Sequence, residues 1–182
     1  MDVTDYATQQ TQSEKVRVDP DPRMKADPAA FAAQTRPALE ARTALSELAA
    51  LLNHMEMIRA QLHALGTGRT DPVAIRAADL EGKVAEMEDP LYNPASLHDS
   101  KVYLHYLSRV QDRLSRVASQ ISAPYGEAPT QMMVDELAEL AAEVKRHAAE
   151  FDRFLATDAV AFNKFAAEQG VQALALGKPA AK

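Results

Sequence analysis

Residues 45–65 read LSELAALLNHMEMIRAQLHAL, and apolar side chains recur three and four residues apart along this whole stretch. Residues spaced in this way lie on one face of an α-helix, because the helix turns once in about 3.6 residues. Asp27-Pro28 provides a cap and a first residue for this helix, and Pro37 either kinks it or restarts it with Thr35 as the new cap. The predicted buried face consists of Leu45, Leu48, Leu52, Met55, Ile58, Leu62 and Leu65.

Two shorter helices are predicted next. One opens at Asp71-Pro72 and stops at Asp89-Pro90, since aspartate followed by proline caps a helix start and proline ends a preceding helix. A connection along the surface then leads to a third helix, which Ser96 or Asp99 caps. The buried stripe of this third helix is Tyr103, Leu107, Val110, Leu114, Val117 and Ile121.

The last predicted helix begins after Thr130, bends near Thr157-Asp158 and ends at Gly170, a residue type that favours helix C-termini. Its stripe is Met133, Leu137, Leu140, Val144, His147, Phe151, Phe154, Phe162 and Phe165. Four helices with short to medium connections favour an antiparallel four-helix up-down bundle. We therefore predict an all-α fold over residues 27–176, with the first and last helices longest and a disordered tail at 177–182.

Residues 1–26 are predicted to be an extended segment with one short strand. Lys15-Val16-Arg17-Val18 alternates polar and β-branched residues, as a strand does. The following prolines, Pro20 and Pro22, remove backbone donors and make a stiff linker. Because a lone strand has no partner in a helical chain, it is either unpaired and mobile, paired between chains, or the remnant of a preceding β domain, the interpretation that we favour.

Composition excludes several classes of partner and chemistry. Twenty Lys and Arg stand against 26 Asp and Glu, giving a net charge of −6, so nucleic acid is not an expected partner. The chain contains no cysteine, which excludes disulfides and thiolate ligands. No apolar run approaches the roughly 20 residues of a spanning helix, and no secretory signal opens the sequence. We expect a soluble protein whose location this chain does not specify.

Neither the histidines nor the glutamates form a recognisable catalytic or metal motif. The five histidines include no HExxH, and the glutamates of the last helix lack the inward Glu-x-x-His pairs of di-iron bundles, so no metal or cofactor is expected. An interhelical ligand pocket near His147, with Glu143, Phe151 and Phe154, is the remaining candidate site. Core packing explains the two phenylalanines equally well.

Three segments resemble the C-terminal region of bacterial sortilin-like BNR-repeat proteins, which are often labelled glycosyl hydrolases. These segments are VRVDPDPR at 16–23, LYNP at 91–94 and DAVAFN at 158–163. In that family a β-propeller and a β-sandwich precede a helical bundle, which is entered through a V-x-x-DPR segment. The sequence departs from the pattern at Pro37. The resemblance implies a periplasmic or extracellular setting and places any hydrolase chemistry in the propeller.

The sequence thus favours a non-catalytic helical module that packs on a β-propeller, a β-sandwich or a partner protein. The alternative is a ligand-binding or enzymatic bundle that uses the pocket near His147. No catalytic residue carries over from the resemblance, because the propeller would hold any such residue.

Overall fold

The computed structural model describes residues 2–4, 11–15, 28–94, 107–123 and 127–177. Within these ranges the chain forms two short strands, four main helices and a C-terminal extension of the last helix. The elements are β1 (Asp2–Thr4), β2 (Thr11–Ser13), α1 (Pro28–Gly66), α2 (Pro72–Glu88), α3 (Val110–Ile121), α4 (Gln131–Phe154), a π-helical turn (Leu155–Ala159) and α5 (Val160–Glu168).

The longest helix, α1, organises the bundle, because α2, α3 and α4 all pack against it. The chain reverses between α1 and α2 within residues 67–71, so these two helices are antiparallel neighbours. Helix α3 also packs against α4, and α5 packs against α2. One apolar core runs through all of these helices. The predicted all-α fold is confirmed, and the helices at the two ends of the chain are the longest, as expected.

Helices α2 and α4 begin at the predicted caps. The Asp71 carboxylate accepts hydrogen bonds from the backbone N–H groups of Val73 and Ala74, both at 3.0 Å. The Thr130 hydroxyl accepts one from the N–H of Met133 at 3.3 Å. Each side chain satisfies donors that have no partner within the first turn of a helix. These caps are local in sequence, which is why the residue pattern alone locates them.

The Asp71 cap predicts a pH-dependent contribution to stability. The N–H of Ala74, and then the Arg69 guanidinium, lower the pKa of Asp71 below its ordinary value of 3.8. A carboxyl whose pKa is depressed on folding stabilises the native state above its unfolded pKa, and this stabilisation disappears as pH falls through the folded pKa. Asp71→Asn keeps a capping oxygen but loses the charge. In urea titrations, its midpoint should therefore lie below the wild-type midpoint at neutral pH.

The two urea midpoints should converge as the pH is lowered below 3.8 and Asp71 becomes protonated. A difference that stays constant from neutral to acidic pH would show that the charge of Asp71 contributes nothing.

Helix α1 continues through Pro37 without a restart. The Thr35 hydroxyl donates to the carbonyl of Phe31 at 2.9 Å, as it does inside a helix, so Thr35 is not a cap. Because proline has no backbone N–H, the helix loses one backbone hydrogen bond at Pro37. Pro37 is buried and lies on the same buried face of the helix as Ala41 and Ala44. Its packing in the core offsets the lost hydrogen bond. Of the two predicted alternatives, the restart at Pro37 is therefore wrong.

Helix α3 begins later than the sequence suggests. Its first residue is Val110, and the N–H groups of Val110 and Gln111 donate to the carbonyls of Pro90 and Leu91 at 3.2 and 3.0 Å. Leu107, predicted in the buried stripe, precedes the helix and is 83% exposed. The predicted caps and first stripe residue, at positions 96, 99 and 103, lie outside the described residues.

The connection that follows α2 is not entirely on the surface. Leu91 is fully buried, so the predicted surface course is wrong at this residue. Its apolar side chain gains more from joining the core than from lying in water, while its carbonyl remains free to accept the hydrogen bond from α3. The connection therefore anchors the start of α3.

The bend predicted at Thr157-Asp158 falls within the π-helical turn of residues 155–159. Here Asp158 pairs with Lys83 of α2, with 3.1 Å between Oδ2 and Nζ. Helix α5 ends at Glu168, and Gly170 follows it with a φ of +68°, in the left-handed region that glycine tolerates best. The predicted C-terminal cap is confirmed. Beyond it, residues 171–176 return across the bundle, and we call them the C-terminal strap.

The N-terminal segment contains a pair of strands rather than a lone strand. Strands β1 and β2 are antiparallel, with Val3 opposite Gln12. The predicted strand at 15–18 is not seen at Lys15, and its other three residues lie outside the described ranges. Residues 2–4 and 11–13, which form this pair, are segments too short to show a periodic pattern in the sequence.

Candidate functional site

His147 and Glu143 lie at the edge of the bundle rather than at its centre. The His147 side chain is 18% exposed, and its Nδ1 is 3.7 Å from a carboxylate oxygen of Glu150. Glu143 lies near Arg113 of α3, at 3.5 Å, and near Arg146, at 4.0 Å. Each of these two residues therefore pairs with a charged neighbour. Glu143 and Arg146 are three residues apart in α4, a spacing at which side chains on a helix lie close together.

Phe151 and Phe154 lie in the core. Their rings stack with centroids 5.9 Å apart, and both side chains are buried. On its other side Phe151 meets the His54 ring of α1 edge to face, at 5.2 Å. His54 is itself buried. The structure thus brings Phe151 together with His54, a residue that the sequence did not single out, and not with His147 in a shared pocket.

A groove of about 410 Å³ lies between α1 and α4 beside this aromatic pair. Its lining includes the apolar residues Leu51, Val144 and Phe151 and the charged residues Glu47 and Lys145. His54 also contributes to the lining, but His147 and Glu143 do not. The interhelical groove therefore shares Phe151 with the predicted pocket, but the other three predicted residues are not among its lining.

The most organised polar arrangement holds the C-terminal strap. The Asn163 side chain accepts from the N–H of Leu174 at 2.7 Å and donates to the carbonyl of the same residue at 3.0 Å. Gln61 repeats this pattern on Ala175, at 2.7 and 3.2 Å. His54 Nε2 lies 3.2 Å from the carbonyl oxygen of Leu176. Three consecutive strap residues are thus held through their backbones.

Sequence reasoning missed this arrangement, although two signals were present. His54 and Gln61 are seven residues apart, so they lie on one face of α1 two turns apart. Leu174 and Leu176 are two residues apart, the spacing of side chains on one side of an extended segment. Neither signal names its partner, because the hydrogen bonds join residues more than 100 positions apart.

A partly buried ion pair joins α1 to α2. Arg59 Nη1 lies 2.6 Å from Glu88 Oε2, and the same guanidinium also reaches the more exposed Glu56 at 3.0 Å. Partly buried pairs are screened less by salt than exposed ones, and removing one partner leaves the other charge uncompensated. This pair therefore fixes the register of α2 on α1 more firmly than a surface pair would.

Glu88→Gln should lower the free energy of unfolding by about 1–2 kcal/mol, between the values for exposed and buried pairs. Urea denaturation followed by circular dichroism measures this loss. Glu86→Gln, at an exposed position of the same helix, is the matched control and should change little. A loss for Glu88→Gln no larger than that of the control would contradict the structural role of the pair.

The described residues show neither a metal cluster nor a membrane-spanning helix. No three His, Cys, Asp or Glu side chains come close enough together in that part of the chain to hold a metal ion. None of the described helices has the length and apolar character that crossing a membrane requires.

Comparison with known proteins adds no relative. No family model matches this chain, no curated protein matches it, and no solved structure matches it. Function must therefore be inferred from the residues and geometry of the chain itself.

Proposed function

We propose that this chain is a non-catalytic helical module that packs on a β-propeller or β-sandwich domain. In this proposal it is the C-terminal part of a sortilin-like BNR-repeat protein, and any hydrolase chemistry belongs to the propeller. The three sequence segments quoted above support the family assignment. The bundle supplies a rigid body, since one core runs through its helices.

The observation that carries the proposal is the small β-ribbon at the N-terminal side. It has two strands of three residues each, and the side chains of Thr11, Gln12 and Ser13 are all exposed. A ribbon of this size is marginal in water by itself, and a two-stranded sheet can be extended by a further strand. Pairing with a neighbouring sheet would enlarge and bury the ribbon. A β domain is therefore the kind of partner that the ribbon fits.

The full chain should bind the propeller and sandwich portion of a bacterial sortilin-like BNR-repeat protein. Gln12→Pro should weaken this binding at least tenfold, because proline removes a backbone donor and disrupts strand pairing. Isothermal titration calorimetry measures both affinities. Gln12→Thr, which keeps the backbone donor and suits a strand, is the matched control and should bind like the wild type.

Helical circular dichroism should be the same in all three proteins, since Gln12 lies outside the helices. If the wild-type chain binds no such β domain, or if Gln12→Pro binds as tightly as the control, the ribbon is not a docking element.

A further inference from the structure

The C-terminal strap is held in the way that a bound peptide is held. Asn163 and Gln61 each use both atoms of the side-chain amide, one as donor and one as acceptor, on a single strap residue. This pairing imitates the hydrogen bonds that a neighbouring β-strand would make. Because only backbone groups of residues 174 and 175 take part, these bonds do not depend on the side chains of the occupant.

The selectivity of this site for its occupant comes from the positions of the apolar side chains in the strap. Leu174 is only 5% exposed and belongs to the bundle core. Val171 and Leu176 are half-buried and pack against that core, whereas Ala175, between the two leucines, is exposed. An extended segment points alternate side chains to opposite sides. The site therefore accepts leucines at two alternate positions and leaves the residue between them in solvent.

The residues that hold the strap all lie outside it. His54 and Gln61 belong to α1, and Asn163 belongs to α5, so none of them is lost when the strap leaves. The strap departs from α5 at Gly170, an exposed residue in the left-handed region. The holding face is thus a surface of the bundle, and the strap is a ligand tethered to it.

We propose that the face of α1 and α5 carrying His54, Gln61 and Asn163 is a docking groove for an extended peptide with leucines two positions apart. The strap, residues 171–176, is its intramolecular occupant, and a peptide of the same pattern in a partner protein replaces it. The inference does not depend on the N-terminal ribbon and can fail or succeed separately from the proposed function.

Because the strap is covalently attached to α5, it occupies the docking groove when no partner protein is present. A short linker holds its ligand at an effective concentration on the order of millimolar, so a free peptide at micromolar concentration competes poorly. A substitution that weakens the docking of the strap, but leaves the residues of the groove unchanged, removes this competition. Leu174→Asp does so, because it places a charge where the core requires an apolar side chain.

The test uses a fluorescent peptide with the sequence of residues 170–177, GVQALALG, and measures its anisotropy with full-length chains. The Leu174→Asp chain should bind the peptide at least tenfold more tightly than the wild type. Adding Gln61→Ala or Asn163→Ala to Leu174→Asp should reduce that binding again at least tenfold, because each removes both hydrogen bonds to one residue. A peptide with aspartate at the position of Leu174 should not bind.

A second variant keeps the test decisive if Leu174→Asp disturbs folding. Ala175→Pro removes the N–H that donates to Gln61, at an exposed residue outside every helix. It should open the groove to the labelled peptide in the same way. Gln172→Ala, at an exposed strap residue, is the control and should bind as weakly as the wild type. If neither strap variant binds the peptide while folded, or if binding is indifferent to Gln61 and Asn163, the groove is not a peptide site.

Discussion

Phe151→Ala should lower the free energy of unfolding by about 3–5 kcal/mol, the range for removing a buried phenylalanine from a packed core. Phe151 is 1% exposed and lies between the rings of His54 and Phe154. Truncation removes apolar contact area and leaves a cavity that the two flanking rings can only partly fill. Urea denaturation followed by helical circular dichroism measures the loss.

The same substitution should also loosen the C-terminal strap. His54 packs its ring on Phe151 and directs Nε2 to the carbonyl of Leu176, so losing the ring of Phe151 frees His54 to move. Phe151→Leu, which keeps more of the volume, should lose clearly less stability than the alanine variant. A loss below about 1 kcal/mol for Phe151→Ala would contradict the packing described, because that value is typical of less critical positions.

Leu62→Ala is expected to have the second largest effect, about 2–5 kcal/mol. Leu62 is completely buried in α1, where that helix packs with its neighbours. The matched control is Leu39→Ala, because Leu39 lies in the same helix and is 48% exposed. Both changes replace leucine with alanine in a helix, so helix propensity cancels and the difference in stability reports burial.

The two leucine variants should therefore differ in urea midpoint by most of the loss measured for Leu62→Ala. Equal losses for the two positions would mean that α1 does not bury the face that its leucine spacing defines.

Much of the fold follows from local sequence because its signals act over a few residues. The apolar spacing of α1 and the caps Asp71, Thr130 and Gly170 each concern one turn of helix. The start of α3 was harder to locate, because the N–H groups of Val110 and Gln111 bond to the carbonyls of Pro90 and Leu91, and only the N–H of Arg109 bonds to a nearby side chain, Asp112. A sequence does not show which backbone carbonyls will accept such hydrogen bonds.

The candidate site was less predictable, because a helical stripe does not separate core positions from boundary positions. Val144, His147 and Phe151 share the predicted stripe, yet only Val144 and Phe151 are buried in the core. Two of the residues that hold the strap, His54 and Gln61, lie more than 100 positions from it in the sequence, and its two leucines gave no indication of Gln61. Long-range hydrogen bonds of this kind become visible only when the chain is folded.

Residue-resolved amide hydrogen exchange on the full chain under native conditions tests the central claim most directly. The claim is that the strap docks on the bundle and opens independently of it. Core amides of α1 and α4 should share one high opening free energy, while the amides of Leu174 and Ala175 should be protected but open at a clearly lower free energy. Exchange of these two amides at unprotected rates, or only together with the core, would contradict the account.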